Sequence, residues 1–212
     1  MSRPDMTERE NRARDSRAVT PPLNPEDCPL EALREMHFLQ RKFCLDMEAL
    51  AETTKARPAL ARAVLTNLRR DLPLHHADED TGLFPLLRER ARNKDAIETL
   101  LDRLSADHDA IAAARQPLLA ALSCLANGAL PATEDRAALR ALAQAKRRHM
   151  TVENAIILPL AQFRLTVADR RQLIAAMATR RATPPDAEGP SADLSSDMRP
   201  PGSAAQSEGA NR

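Results

Sequence analysis

Residues 65–86 read LTNLRRDLPLHHADEDTGLFPL, and this stretch carries the pattern that decides the fold. Positions three or four residues apart share one face of a helix, and leucines occupy the first half of that face. A histidine and a glutamate follow where further apolar residues are expected. The face consists of Leu65, Leu68, Leu72, His75, Glu79, Gly82 and Leu86.

Three other segments show the same heptad-like apolar face, and each also carries one histidine on it. The first face consists of Leu30, Leu33, His37, Gln40, Cys44, Met47 and Ala51. The next consists of Ile97, Leu101, Leu104, His108, Ile111, Arg115 and Leu118. The last consists of Leu139, Leu142, Lys146, His149, Glu153, Ile156, Leu160 and Phe163. Four such faces predict four helices that surround one core.

Start and stop signals give approximate bounds for these helices, including an Asn127–Gly128 stop after the third. The predicted helices span about 25–53, 58–92, 94–126 and 133–163, with a shorter one over about 167–179. Because the connections are short, we expect an all-α fold: an up-down antiparallel four-helix bundle with a short additional C-terminal helix. Pro85, Pro117 and Pro159 each remove a helix hydrogen bond, so we expect a kink or an end there.

Composition narrows the class of protein. The 212 residues are 43% hydrophobic with a net charge of +1, which offers no large basic surface for nucleic acid. No apolar run approaches the length of a membrane span or of a signal peptide, and three scattered cysteines do not form a disulfide framework. We expect a cytoplasmic bundle over 25–181, with disordered Pro- and Ser-rich tails at 1–24 and 182–212.

The four histidines lie roughly 11–17 residues from their helix starts, or about 17–25 Å along the helix, so antiparallel packing brings them to one height. The motif H-x3-E-x5-P begins at His75 and again at His149. Residues i and i+4 share a helix face, so each pair can reach one metal, and Glu79 and Glu153 can bridge two metals. Nitrogen and oxygen donors suit iron, manganese or zinc. The candidate ligands are His37, His75, Glu79, His108, His149 and Glu153.

The segments LHHADEDTGLFPLL, DHDAI and RHMTVENAIILP resemble those of hemerythrin-like proteins, also called the HHE cation-binding domain, and MHFL at 36–39 matches the first-helix histidine. The resemblance covers roughly 30–163, and HMTVENAIILP is most similar to di-iron proteins that repair iron–sulfur clusters. It implies a non-heme centre of two iron ions, bridged by oxo or hydroxo and carboxylate groups and held by the six candidate ligands. Such a centre has open positions for O2, NO or peroxide.

Two departures from the family pattern bear on function. Oxygen-storing hemerythrins have a second third-helix histidine where this chain has Ala112, and cluster-repair proteins carry an added cysteine-containing N-terminal domain that residues 1–24 do not resemble. The leading hypothesis is a di-iron protein that binds or senses O2, NO or peroxide. The alternatives are an enzyme for iron–sulfur cluster repair or for NO or peroxide detoxification, and a metal-free helical interaction module.

Three polar residues near the candidate ligands have open roles. His76 and Asp80 form a second H-x3-acid pair that could replace His75 and Glu79 as ligands, although the leucine register favours the latter pair. Asp107 fits a solvated surface acid as well as it fits a group that supports a metal ligand or lines an entry channel.

Overall fold

The computed structural model describes residue 23 and residues 26–92 and 94–182, and regular secondary structure within these ranges is entirely helical. The predicted tails lie almost wholly outside the described residues. No described helix combines the length and the apolar character that a membrane span requires.

Five helices follow one another along the chain. They are α1 (Pro29–Glu52), α2 (58–90), α3 (Lys94–Ala126), α4 (133–164) and α5 (Val167–Ala182). α3 ends at the predicted stop signal, where Gly128 adopts a φ of 98° that a side chain would disfavour. The predicted helices are thus confirmed, with ends that differ by a few residues.

Ion pairs and hydrogen bonds between helices establish the antiparallel arrangement. Along α1 and α4, Glu48 pairs with Arg147 and Glu52 pairs with Arg140, so residue numbers rise on one helix as they fall on the other. The order between α2 and α3 is likewise reversed, since Arg62 donates to the Ala126 carbonyl and Arg69 donates to Ser123. The up-down bundle is therefore confirmed.

Three short π-helical turns interrupt α2 and α4. They are Asn67–Asp71, Glu79–Leu83 and Glu153–Ile157. Each turn ends two residues before a proline, and the residue between them donates its N–H to the carbonyl five residues earlier. The prolines are Pro73, Pro85 and Pro159. A wider turn relieves the contact between a proline ring and the carbonyl four residues earlier. The helices therefore continue past Pro85 and Pro159, and Pro117 also lies inside a continuous α3.

The π turn at Glu153 changes which residues of α4 are buried. The predicted face holds as far as Glu153, but Ile156 is 47% exposed and Phe163 is 78% exposed. Ile157 and Ala161 are buried in their place. The prediction for these two positions is wrong because the π turn adds one residue, which advances the buried face by one position.

Helix α5 covers the side of the bundle next to the π turn Glu79–Leu83. Its Arg180 and Arg181 both pair with the fully buried Asp78, at 2.7 and 2.6 Å. Gly82 allows a close approach, because a Cβ atom there would lie 2.7 Å from Leu173 Cδ1. The additional helix predicted from the sequence is thus part of the folded unit.

The core is divided into two apolar clusters along the bundle axis. One cluster includes Leu33, Leu83, Leu104 and Ile157. The other includes Cys44, Leu72, Ile111 and Leu142. On every helix of the bundle, the histidine lies between the residues of these two clusters. A buried polar layer therefore crosses the middle of the bundle, at the height predicted from the sequence.

Candidate metal centre

The six candidate ligands form the centre of this polar layer. Each is no more than 3% exposed, and each helix of the bundle contributes at least one of them. α1 and α3 each provide one histidine, whereas α2 and α4 each provide a histidine and a glutamate. The structure therefore brings all six together, although they come from four separate stretches of chain.

The donor atoms fall into two groups that could each hold a metal ion. The first group consists of His37, His75, Glu79 and Glu153. The second consists of Glu79, His108, His149 and Glu153. Within each group one donor atom per residue lies within 4.8 Å of all the others. Both groups use the same two carboxylates, which is the arrangement that the H-x3-E repeat predicts for bridging ligands.

The distances within the groups fit donors that converge on a common point. His37 Nε2 lies 3.4 Å from Glu79 Oε1 and 3.3 Å from Glu153 Oε2. His149 Nε2 lies 2.9 Å from the other oxygen of Glu153, and 2.8 Å from His108 Nε2. Two donors about 2.1 Å from one metal ion, at right angles to each other, are about 3 Å apart. The observed separations match that requirement.

Several of these buried atoms have no hydrogen-bond partner among the described residues. They are His75 Nδ1, Glu79 Oε2, His149 Nδ1 and both carboxylate oxygens of Glu153. The contact between His149 Nε2 and Glu153 Oε1 is short but lacks the direction of a hydrogen bond. Buried carboxylate oxygens without partners are costly, and a bound cation would satisfy them. The residues present therefore fit a metal ion in each group.

Comparison with known families agrees with this geometry. The family model of the hemerythrin HHE cation binding domain matches residues 28–161. The chain belongs to this family. A comparison with curated proteins gave no match. The matched range contains all six candidate ligands and ends within α4, so α5 lies beyond the part of this HHE domain protein that the family model describes.

Asn154 and Asp80 each orient one histidine of the candidate metal centre. Asn154 donates its amide to the Met150 carbonyl, at 2.6 Å, which leaves its oxygen to accept from His37 Nδ1 at 3.2 Å. On the opposite side, the Asp80 carboxylate accepts from His108 Nδ1 at 2.7 Å and from Ser105. With Nδ1 protonated, each Nε2 faces the carboxylates and is available as a ligand.

Burial and charge shift the titration of the metal-free centre strongly. Burial opposes protonation of His37, but Glu153 and Glu79 outweigh it and raise its pKa to about 10. For His108, burial is likewise outweighed by Asp80 and Glu79, and the pKa rises to about 9. Burial lowers the pKa of His75, and the charge of His37 lowers it further. At neutral pH both imidazoles with raised pKa values, His37 and His108, therefore carry a proton that faces a neighbouring carboxylate.

The structure also places the three polar residues whose roles the sequence left open. His76 and Asp80 belong to neither donor group: His76 is buried and stacks on His108, and Asp80 orients the same ring. Asp107 Oδ2 lies 3.5 Å from His149 Nδ1, beside the centre.

Asn154 and Ser105 were not recognised from the sequence. A signal for Asn154 exists, because the residue after each motif glutamate, Asp80 or Asn154, orients the histidine of a neighbouring helix.

Proposed function

We propose that this HHE domain protein is a non-heme di-iron protein that binds or senses O2, NO or peroxide. The observation that carries the proposal is the pair of donor groups that share Glu79 and Glu153. One carboxylate with two histidines would fit a single ion, whereas two shared carboxylates between two histidine pairs fit two ions. No donor in either group is a thiolate, which agrees with iron in a nitrogen and oxygen environment.

The residues of the chain have separate tasks in this proposal. Four imidazoles and two bridging carboxylates supply about eight of the roughly twelve donor positions that two six-coordinate ions require. When bound, two ferrous ions would supply electrons and open positions for a small ligand. The apolar clusters shield the layer from water along the bundle axis. Asn154 and Asp80 hold two of the imidazoles in the orientation that a ligand needs.

Metal analysis and absorbance spectroscopy test the proposal directly. Protein reconstituted with ferrous iron without oxygen should hold about two irons per chain and should then gain charge-transfer absorbance with O2, peroxide or NO. Repeated consumption of NO or peroxide would favour the detoxification enzyme instead, and reactivation of a damaged iron–sulfur cluster would favour the repair enzyme. A thermal melt that does not respond to chelation would favour the metal-free interaction module.

Adjacent histidines provide a matched pair of variants for the same measurement. His75→Ala and His149→Ala each remove a donor from one group only, so each should lower the iron content to about one per chain. His76→Ala removes a neighbouring buried imidazole that belongs to neither group and should leave the stoichiometry unchanged. Loss of iron in His76→Ala together with retention in His75→Ala would assign the ligand role to His76.

A further inference from the structure

A pocket of about 270 Å³ lies between α2 and α3, at the height of the polar layer. His108 itself lines the pocket, together with His76, Asp80, Ala112 and Arg115. Its inner wall is therefore formed by a member of the second donor group. We propose that this pocket is the route by which a small polar ligand of the class of peroxide or azide reaches that group. The inference rests on the proposed function and selects among its ligands.

The inner end of the pocket is built from imidazole rings. The ring of His76 stacks on that of His108, with centroids 3.9 Å apart and planes within 13°. The same ring lies 6.2 Å from the ring of His149. A molecule in the pocket is thus in contact with His76 and His108. Only the His76 ring then separates it from His149, the other histidine of the second donor group. His76 hydrogen-bonds to no described residue through its side chain, so it remains available to a ligand.

Space in the pocket depends on a small residue. Ala112 lies one helical turn after His108 on α3, is half-buried, and contributes only a methyl group to the wall. Because residues i and i+4 share a helix face, a larger side chain at this position would extend alongside His108 into the pocket. The size of the residue at position 112 therefore sets the width of the route.

Polar side chains in the lining, among them His76, Asp80 and Arg115, suit a ligand with polar atoms. Arg115 lines the pocket and donates Nη1 to the Leu68 carbonyl, so its guanidinium places a positive charge at the wall. Asp80 is already engaged with His108 and Ser105, so its charge is partly compensated. The His76 imidazole and the positive charge of Arg115 suit a ligand with exposed acceptor atoms.

A second groove, of about 730 Å³ between α3 and α4, provides the rival route. Its lining is mainly Ala and Leu, and Asp107 connects it to the neighbourhood of His149. Ala114 lines this groove, whereas Ala112, two residues earlier on the same helix, lines the proposed route. The same substitution at these two alanines therefore blocks one route at a time.

The test measures how fast azide binds to the iron-loaded protein, by stopped-flow absorbance. We expect Ala112→Leu to slow association about tenfold or more, Ala112→Val to give an intermediate rate, and Ala114→Leu to stay within about twofold of the unchanged protein. Iron content, measured on each sample, should be the same in all. Arg115→Gln should slow azide association a few-fold and weaken its dependence on ionic strength.

The outcomes separate this inference from the proposed function. Slowing by Ala114→Leu alone, or equal rates in all variants, would overturn the route while the azide spectrum of the unchanged protein still supports the di-iron centre. If Ala112→Leu does not fold, the comparison of Ala112→Val with Ala114→Val decides in the same way. Failure of the unchanged protein to take up metal would overturn both, because the pocket would then lead to no bound ion.

Discussion

Replacement of Lys146 by methionine should stabilise the metal-free protein at neutral pH. Lys146 is only 2% exposed, and it occupies a core position of α4 one turn before His149. Burial lowers the pKa of its ammonium group from the ordinary 10.5 to about 8, although Cys44, Glu153 and Glu79 act in the opposite direction. The folded state therefore disfavours the charge that this side chain carries at pH 7.

The size of the effect follows from the two pKa values. At about 1.4 kcal/mol for each tenfold change in proton affinity, holding the ammonium in the fold costs about 3 kcal/mol at pH 7. Methionine has a similar length and no charge, so Lys146→Met removes this cost and keeps most of the packing. Between pH 8 and pH 10.5 the unfolded chain still binds the proton that the folded protein has released. The contribution of Lys146 to the stability of the unchanged protein therefore becomes less unfavourable as the pH rises, and the advantage of the variant falls to about 1 kcal/mol by pH 10.

Urea unfolding in the presence of a chelator, at pH 7 and pH 10, measures both values. Lys42→Met is the matched control, because Lys42 is partly exposed and pairs with Asp46 at 2.8 Å, so its loss should change the stability by less than about 1 kcal/mol. A Lys146→Met variant that is less stable than the unchanged protein at pH 7 would refute the reasoning. A gain that stays the same at pH 10 would show that the charge is not its source.

Three further predictions concern the centre and the helix that covers it. Asn154→Ala should weaken metal binding about 10–100-fold, because His37 loses the acceptor for its Nδ1 proton; calorimetric titration checks this, with the exposed Thr151→Ala as control. Metal loading at pH 7 should release about two protons, from His37 and His108, whose pKa values are raised to about 10 and about 9. The metal affinity should therefore rise with pH up to that range. Calorimetry in buffers of different ionisation enthalpy measures the number of protons released. Asp78→Ala should cost about 3–5 kcal/mol of stability in urea unfolding, because two arginines of α5 lose their buried partner, whereas Asp102→Ala at an exposed pair should cost less than about 1 kcal/mol.

The apolar pattern was sufficient to predict the bundle because each helix buries one face for several turns. All seven residues predicted for the α1 face are buried, and α3 has the predicted bounds. The histidine heights follow from the same pattern, since short connections between helices of similar length leave little freedom in their relative positions. These features depend on local periodicity, which a single sequence records.

The features that the sequence did not predict depend on the backbone or on contacts between distant segments. Prolines were expected to kink or end helices, yet a π turn before Pro159 lets α4 continue and exposes Ile156. The orientation of His37 by Asn154 joins residues 117 positions apart. A sequence shows which residues could take part in such contacts but not which ring nitrogen meets which amide.

The centre depends on the whole bundle, because no pair of helices contains either donor group. The first group takes residues from α1, α2 and α4, and the second takes residues from α2, α3 and α4. The i,i+4 pairs on α2 and α4 supply one histidine and one glutamate each, which is too few donors to close a site. A metal ion therefore binds the folded protein much more tightly than the unfolded chain. Its binding free energy then adds to the stability of the bundle. Two apolar clusters, one on each side of the layer, hold the four helices in the register that brings these donors together.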